Sequence, residues 1–412
     1  MRMQADVIVI GAGATGGAMA FKLASLGAEV LLLENGDWFD YEKTKCGDPE
    51  FELMKRSKLN PNPNIRKNID EDPIDDKNSF IKPMIGSAVG GGTIWWSAHV
   101  PRFRPDDFNV FSRYGVADDW PITHEDIESF YEENEKMMGA AFVAGDPTGT
   151  RRRLNGLSLP TIGKGGQKMA AAFDRLGIHW WPVDLARGVK DKGEKKIKCS
   201  HFGPCDIGCP SRKSSGVDSC YVKKSVEAGA KLVTGIKVLR LEHNRQGCIS
   251  NILAKSDQGF VRIKGKIFVL CANGIGTPRL LLLSGSKMFP NGLANGSGLV
   301  GRNLMLHPYA RVEGQFPDPL GFFVPDEIAG IVSFAFQKTI PERGFLRGSK
   351  LQVNAGPGPL DIATGKITKK PLPWGNSHHK EFEKQFDHFC GITICAEDLP
   401  EYKNCINLSK KI

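Results

Sequence analysis

Between Asp6 and Gly36 the chain spells out a strand, a glycine turn, a helix, a second strand and a closing acid. Val7 to Ile10 form a short apolar run, as a strand buried on both faces requires. Gly11, Gly13 and Gly16 then fall at G-x-G-x-x-G spacing. The first allows the tight turn, the second lets a pyrophosphate approach the backbone, and the third lets helix and strand pack closely. Thr15 lies in the first turn of that helix, whose N-terminus aims bare N–H groups at a phosphate. Glu34 ends the second strand, where a carboxylate can accept both ribose hydroxyls. The pattern predicts a dinucleotide site and does not separate NAD from FAD; a plain glycine turn in an α/β core is the bland alternative.

With 412 residues, 41% of them hydrophobic, the chain can bury a large core as two domains or one elaborated domain. Its 47 glycines suit a fold with many tight turns around a ligand. The net charge of +9 is spread along the chain, which permits anionic partners without specifying nucleic acid, and no aromatic-basic pattern of an RNA-binding sheet is present. No apolar run reaches membrane-spanning length. The nucleotide strand begins by Asp6, leaving no room for a signal peptide or twin arginine ahead of it. The expected location is the cytoplasm, or the periplasm if a partner subunit carries the signal.

Residues 40–80 are polar and rich in Pro, Asn, Asp and Lys, which reads as a surface excursion or lid. A Gly-, Ala- and Trp-rich stretch follows at 84–98. Helices are expected over 120–139, with Thr123 as N-cap, over 163–176 and over 219–228. Short β runs follow at 231–233, 238–242, 249–254 and 266–270. The last leads into Cys271-Ala272-Asn273-Gly274 and an apolar helix, a second strand-glycine-helix unit. The fold class is therefore α/β: a Rossmann-like nucleotide domain assembled from 1–39, 81–110 and 200–310, with a discontinuous α+β substrate region from 111–199 and 311–412.

Ten cysteines in a chain this long do not read as a disulfide framework. Three stand apart: Cys199, Cys205 and Cys209, at C-x5-C-x3-C, with Pro210 after the last. Thiolates on an irregular loop suit a soft metal or an iron–sulfur cluster, and the spacing differs from zinc ribbons. Structural zinc, a disulfide plus a thiol, or inert loop cysteines stay open. Lys192, Lys195, Lys196, Lys198, Arg212 and Lys213 flank the loop, as a solvated basic face or a dock for an acidic partner.

Taken in order, these segments resemble the glucose–methanol–choline (GMC) family of flavoenzymes over nearly the whole chain. The resemblance is carried by Gly90-Gly91-Gly92-Thr93-Ile94-Trp95-Trp96, by Pro101-Arg102-Phe103-Arg104-Pro105-Asp106-Asp107-Phe108, by residues 270–285 and by Gly298 to Pro308. It is strongest toward the large subunits of bacterial sugar, sugar-acid and polyol dehydrogenases. The resemblance implies FAD, held without a covalent bond because Trp95 and Trp96 stand where some relatives have a linking histidine. It implies that Gly90 to Thr93 lie against the flavin ring, the alternative being a mobile hinge, and that Trp95, Val238, Ala272 and Gly274 contribute to the cofactor site. It also implies a [3Fe–4S] cluster on Cys199, Cys205 and Cys209, with Cys220 as a possible fourth ligand for [4Fe–4S]. The implied partners are a sugar or polyol substrate, a small signal-bearing subunit and a cytochrome c subunit.

The family's histidine pair follows the segment resembling Cys395-Ala396-Glu397-Asp398-Leu399-Pro400, and the sequence stops at Ile412. No catalytic residue can therefore be assigned; truncation is the expectation. His307 precedes a fold-supporting proline, His378 and His379 fall in a polar loop, and no signal promotes His388.

Overall fold

The computed structural model describes residues 3–44, 51–55, 57–68, 71–150, 152, 161–186, 208–209, 216–322, 327–328, 330–366 and 368–409. Its nucleotide half is built on a six-stranded sheet in the order 231–233, 30–33, 3–10, 259–270, 249–256, 237–243. The first four strands run parallel, and the last two turn back as an antiparallel meander. All four residues of Val30–Leu33 are buried, as expected where helices cover both faces. In the meander, Ile252 stands opposite Ile263 and both are fully buried, so alternation sends one side of each strand inward.

The sequence-based strand at 266–270 proves to be the end of a twelve-residue strand, Gly259–Leu270. Its first half pairs with the meander and its second half with Met3–Ile10, so one strand joins the two halves of the sheet. The helix expected at 219–228 begins as a π-helical turn, Asp218–Val222, and continues as Lys223–Glu227. Over 120–139 the chain makes a short 3-10 turn, Glu125–Ile127, and then the helix Glu128–Met138. Thr123 caps as expected: the Asp126 N–H donates to its hydroxyl and the Asp126 carboxylate accepts from the Thr123 N–H.

A second, antiparallel sheet follows the order 309–315, 389–396, 349–355, 331–336, 181–182. Helix Lys164–Arg175 covers one face, burying Phe173 with Ile331, Val353 and Cys390. The other face is polar. Tyr309, Cys395 and Lys350 lie in one cross-strand row, and Arg311, Thr393 and Gln352 in the next.

The excursion is a strap fastened at both ends. Asn62 caps the short helix Pro63–Arg66, and Arg66 is paired with Glu71 and stacked on Trp95. Asp72 bonds to Lys237 at 2.7 Å and Arg279 at 2.9 Å, on the nucleotide half. Glu52 accepts the Leu360 N–H at 3.2 Å, capping helix Pro359–Ala363 of the other half. Among the described residues, no helix is long and apolar enough to cross a membrane.

Candidate functional site: a dinucleotide cradle beside a polar cavity

The three parallel strands 3–10, 30–33 and 259–270 end together, and the turns after them converge. Gly11 has φ +102°, and a Cβ there would lie 2.5 Å from the Cys271 oxygen, so the two strand-glycine-helix turns touch through bare backbone. A Cβ on Gly16 would meet the Gly11 oxygen at 1.8 Å. Helix Ala14–Ser25 starts at Gly13 with no side-chain cap and no acid in its first turn, and Thr15 is exposed there. Its first N–H groups are thus open to an anion.

The glycine loop expected near the cofactor folds onto this turn. The Gly90 N–H donates to the Ala12 oxygen at 2.9 Å, and a Cβ on Gly91 would lie 2.8 Å from the Gly13 Cα. Gly92 faces open space and is exposed. Thr93 is a staple: its hydroxyl donates to the Gly90 oxygen at 2.6 Å and accepts the Val217 N–H at 3.0 Å. Ala272 opens the helix Asn273–Leu283, its N–H bonded to Thr277, while Gly274 is exposed with nothing against it. Val238 packs with the meander core. Trp95 points away from the turn; its indole donates to the Leu59 oxygen and its ring packs on Gly86 and Phe39. Its role is to hold the strap.

Glu34 is 6% exposed, and its two carboxylate oxygens accept the Ala12 and Gly36 N–H groups at 2.8 and 2.9 Å. Burial pushes its pKa up to about 7 against those bonds. Each oxygen keeps a lone pair for a further donor such as a ribose hydroxyl. Glycine backbone, an open helix N-terminus and a buried acid fit a dinucleotide.

A cavity of about 720 Å³ lies against the polar face of the second sheet. Its walls come from 101–121, 143–152, 303–307, 334–350 and 395–400, and none of the cradle glycines lines it. Arg347 spans Asp107 at 2.6 Å and Glu397 at 3.2 Å. Arg152 holds Asp184 at 2.7 Å, whose carboxyl burial pushes up to about 6. In the wall itself, Arg102 makes a two-pronged buried pair with Glu135, 2.8 Å on each prong.

His307 is the histidine that lines the cavity among the described residues. Its partners are the Cys395 thiol and the Ala396 oxygen at 3.0 Å, and the Cys395 contact drives its pKa up to about 9. Burial works against the Cys395 thiolate, but His307 and Tyr309 together hold its pKa below the usual value. A ring already protonated at neutral pH is a poor base. His378 and His379 are on an outer helix, and His388 Nδ1 is bonded to the Phe316 oxygen.

Of the cysteine loop, Cys199 and Cys205 lie outside the described residues. Cys209 follows Gly208, whose N–H donates to the Ile94 oxygen at 2.8 Å, so this cysteine sits next to the Gly90–Thr93 loop. Cys220 is buried in the apolar core, and burial pushes its thiol up to about 11.

The family profile of the GMC oxidoreductases matches residues 160–309. The 2-methyl-1,2-propanediol dehydrogenase of Mycolicibacterium austroafricanum is 32% identical over 98% of this chain and 74% of its own length. The chain belongs to the GMC oxidoreductase family. The fructose dehydrogenase large subunit of Gluconobacter japonicus is 30% identical, over 77% of this chain and 61% of its own length. Two solved GMC-like folds overlay nearly all of the chain. Pyridoxine 4-oxidase from Mesorbium loti has a TM-score of 0.56 at 15% identity, covering 95% of this chain and 71% of that one. Formate oxidase of Aspergillus oryzae has a TM-score of 0.56 at 14% identity, covering 96% and 73%. The named relatives are dehydrogenases and oxidases, and this chain is of the same oxidoreductase class.

The cavity carries no signal in the local sequence. The two-pronged Arg102–Glu135 pair, the Arg347 bridge and the His307–Cys395 contact join residues far apart in sequence, and no local spacing signals them. The strap's anchors at Asp72 and Glu52 were likewise hidden in a polar stretch.

Proposed function

We propose that the chain is the FAD-binding part of a dehydrogenase that oxidises a hydroxyl-bearing carbon of a sugar, sugar acid or polyol. The observation that carries this is the juxtaposition of Gly11, Gly13, Gly16 and Glu34 with the Gly90–Thr93 loop at one end of the parallel sheet. FAD modification is described for the formate oxidase, and the diol dehydrogenase acts, by its name, on an alcohol. When bound, the flavin accepts hydride at N5. The chain's own residues do the rest. The helix N-terminus at Gly13 offers N–H donors to the pyrophosphate, and Glu34 offers lone pairs to the ribose. The Gly90–Gly92 backbone leaves room for a flat ring where side chains would intrude. The cavity is lined by Asn303, Gln337 and Lys350, polar groups that suit a hydroxylated substrate. The catalytic base stays unassigned.

Cys199, Cys205 and Cys209 would carry a [3Fe–4S] cluster that divides the electron pair between the flavin and a one-electron acceptor, a cytochrome or quinone. The position of Cys209 beside the Gly90–Thr93 loop supports this. A cytochrome c subunit and a small signal-bearing subunit that brings the chain to the periplasm complete the proposal; the relative named a large subunit supports a multi-subunit assembly. Anaerobic mixing of the FAD-loaded chain with polyols and sugars, together with iron and acid-labile sulfide analysis, tests both parts. Substrate-driven bleaching with about three irons per chain is expected for the cluster type. Bleaching without iron favours the second reading, an FAD-dependent oxidase, which the relatives named 6'''-hydroxyparomomycin C oxidase and paromamine 6'-oxidase support.

A further inference from the structure

The charged groups around the cavity pair unevenly, and Asp118, Asp119, Asp146 and Asp398 line it besides those that follow. Asp107 is fully committed, one oxygen to Arg347 and the other to the Arg104 backbone N–H at 2.7 Å. Glu397 is held by Arg347 and faces the Gln337 amide, and Asp184 is held by Arg152. Two cations remain. Both Nη atoms of Arg104 are buried without a hydrogen-bond partner, and its guanidinium lies over the Phe334 ring, 5.2 Å from the centroid. Lys350 has no ion-pair or hydrogen-bond partner among the described residues, and burial lowers its pKa. Both residues line the large cavity with Phe334, and Lys350 and Phe334 also line the small cleft beneath it. The nearby Gln337 Oε1 is a buried acceptor without a donor.

A buried guanidinium whose two Nη atoms lack hydrogen bonds is costly unless a ligand completes them. A guanidinium fork receives a carboxylate on two parallel bonds, and an ammonium adds a third point of contact. We propose that Arg104 and Lys350 form an anion subsite of the cavity that grips the carboxylate of a polyhydroxylated acid, with Gln337 Oε1 accepting from one of its hydroxyls. This rests on the reading of the cavity as the substrate chamber. It narrows the substrate from sugars and polyols at large to sugar acids. The carboxylate anchors one end of the molecule and leaves the hydroxyl to be oxidised at a fixed distance from it.

Calorimetric titration of the FAD-loaded chain with gluconate, the matching alditol and a hexose phosphate tests the subsite apart from turnover. Gluconate is expected to bind about tenfold or more tighter than the alditol. In Arg104→Met and in Lys350→Gln, gluconate affinity should fall to the alditol level, and Arg104→Lys should recover part of it. Two variants at different elements guard against one of them misfolding. Equal affinities for gluconate and the alditol would overturn the proposal, as would a gluconate preference that survives both variants. Tighter binding of the hexose phosphate than of gluconate would overturn the choice of carboxylate. Flavin bleaching by the alditol alongside equal affinities would leave the dehydrogenase reading standing and remove only the subsite; calorimetric gluconate preference without any bleaching would do the reverse.

Discussion

Gly16 and Gly13 sit three residues apart and are expected to fail differently on substitution. A methyl on Gly16 would lie 1.8 Å from the Gly11 oxygen, a backbone atom that cannot swing aside. Gly16→Ala should therefore cost about 3 kcal/mol of stability, read by denaturant melts. A methyl on Gly13 meets only the Gly91 Cα at 3.7 Å, an ordinary contact. Gly13→Ala should fold and melt close to the parent, yet lose FAD affinity by about tenfold or more, because the methyl occupies the path of the pyrophosphate. Glu34 makes a pH prediction. Its pKa is raised from 4.5 to about 7 by burial, so the folded chain binds a proton that the unfolded chain releases. That stabilising contribution is complete below about pH 4.5 and is lost as the pH rises through about 7. Melting temperature of the cofactor-free chain between pH 5 and 8 should thus fall more steeply than that of Glu34→Gln. Arg102, two-pronged on buried Glu135, predicts a loss of about 3 kcal/mol in Arg102→Ala, since the buried carboxylate keeps only the longer contact to Arg152, at 3.5 Å.

At the scale of elements, the strap is held by two defined fastenings. Asp72→Ala removes the bonds to Lys237 and Arg279, all three about a third exposed or less. The expected stability loss is small, about 1 kcal/mol or less, because partly solvated pairs are weak. The sharper readout is proteolysis: cleavage within 57–86 should quicken in Asp72→Ala while the sheets stay resistant. The strap's anchoring also shows where sequence reading stopped. Val7 to Ile10 and Val30 to Leu33 were legible as strands because strands covered on both faces are unbroken apolar runs. Tyr309–Gln315 reads Tyr-Ala-Arg-Val-Glu-Gly-Gln, and its polar members face the cavity side, so its composition hides its pairing. The second sheet joins strands as far apart as 181–182 and 389–396, and that register is a property of the folded chain. At the site, glycine spacing announced the cradle because the chemistry is local. Arg104 could not be seen as an unpaired cation, because its neighbour Asp107 bonds to Arg347 instead, 240 residues away in sequence.

For the whole molecule, two concave regions sit at different places: a glycine cradle at the end of the parallel sheet and a polar cavity on the antiparallel one. In the proposed reading the first is the cofactor site and the second the substrate chamber, and the strap touches both halves. The chain spans 74% of the diol dehydrogenase and 61% of the fructose dehydrogenase subunit, so turnover is proposed for the assembled protein while cofactor capture belongs to this chain. That makes capture the most direct test. Reconstitution with FAD, followed by gel filtration and an absorbance spectrum of the protein peak, should give a yellow chain with one flavin per polypeptide, and a colourless peak for Gly13→Ala. A parent chain that elutes colourless, or that takes up NAD in place of FAD, would contradict the account.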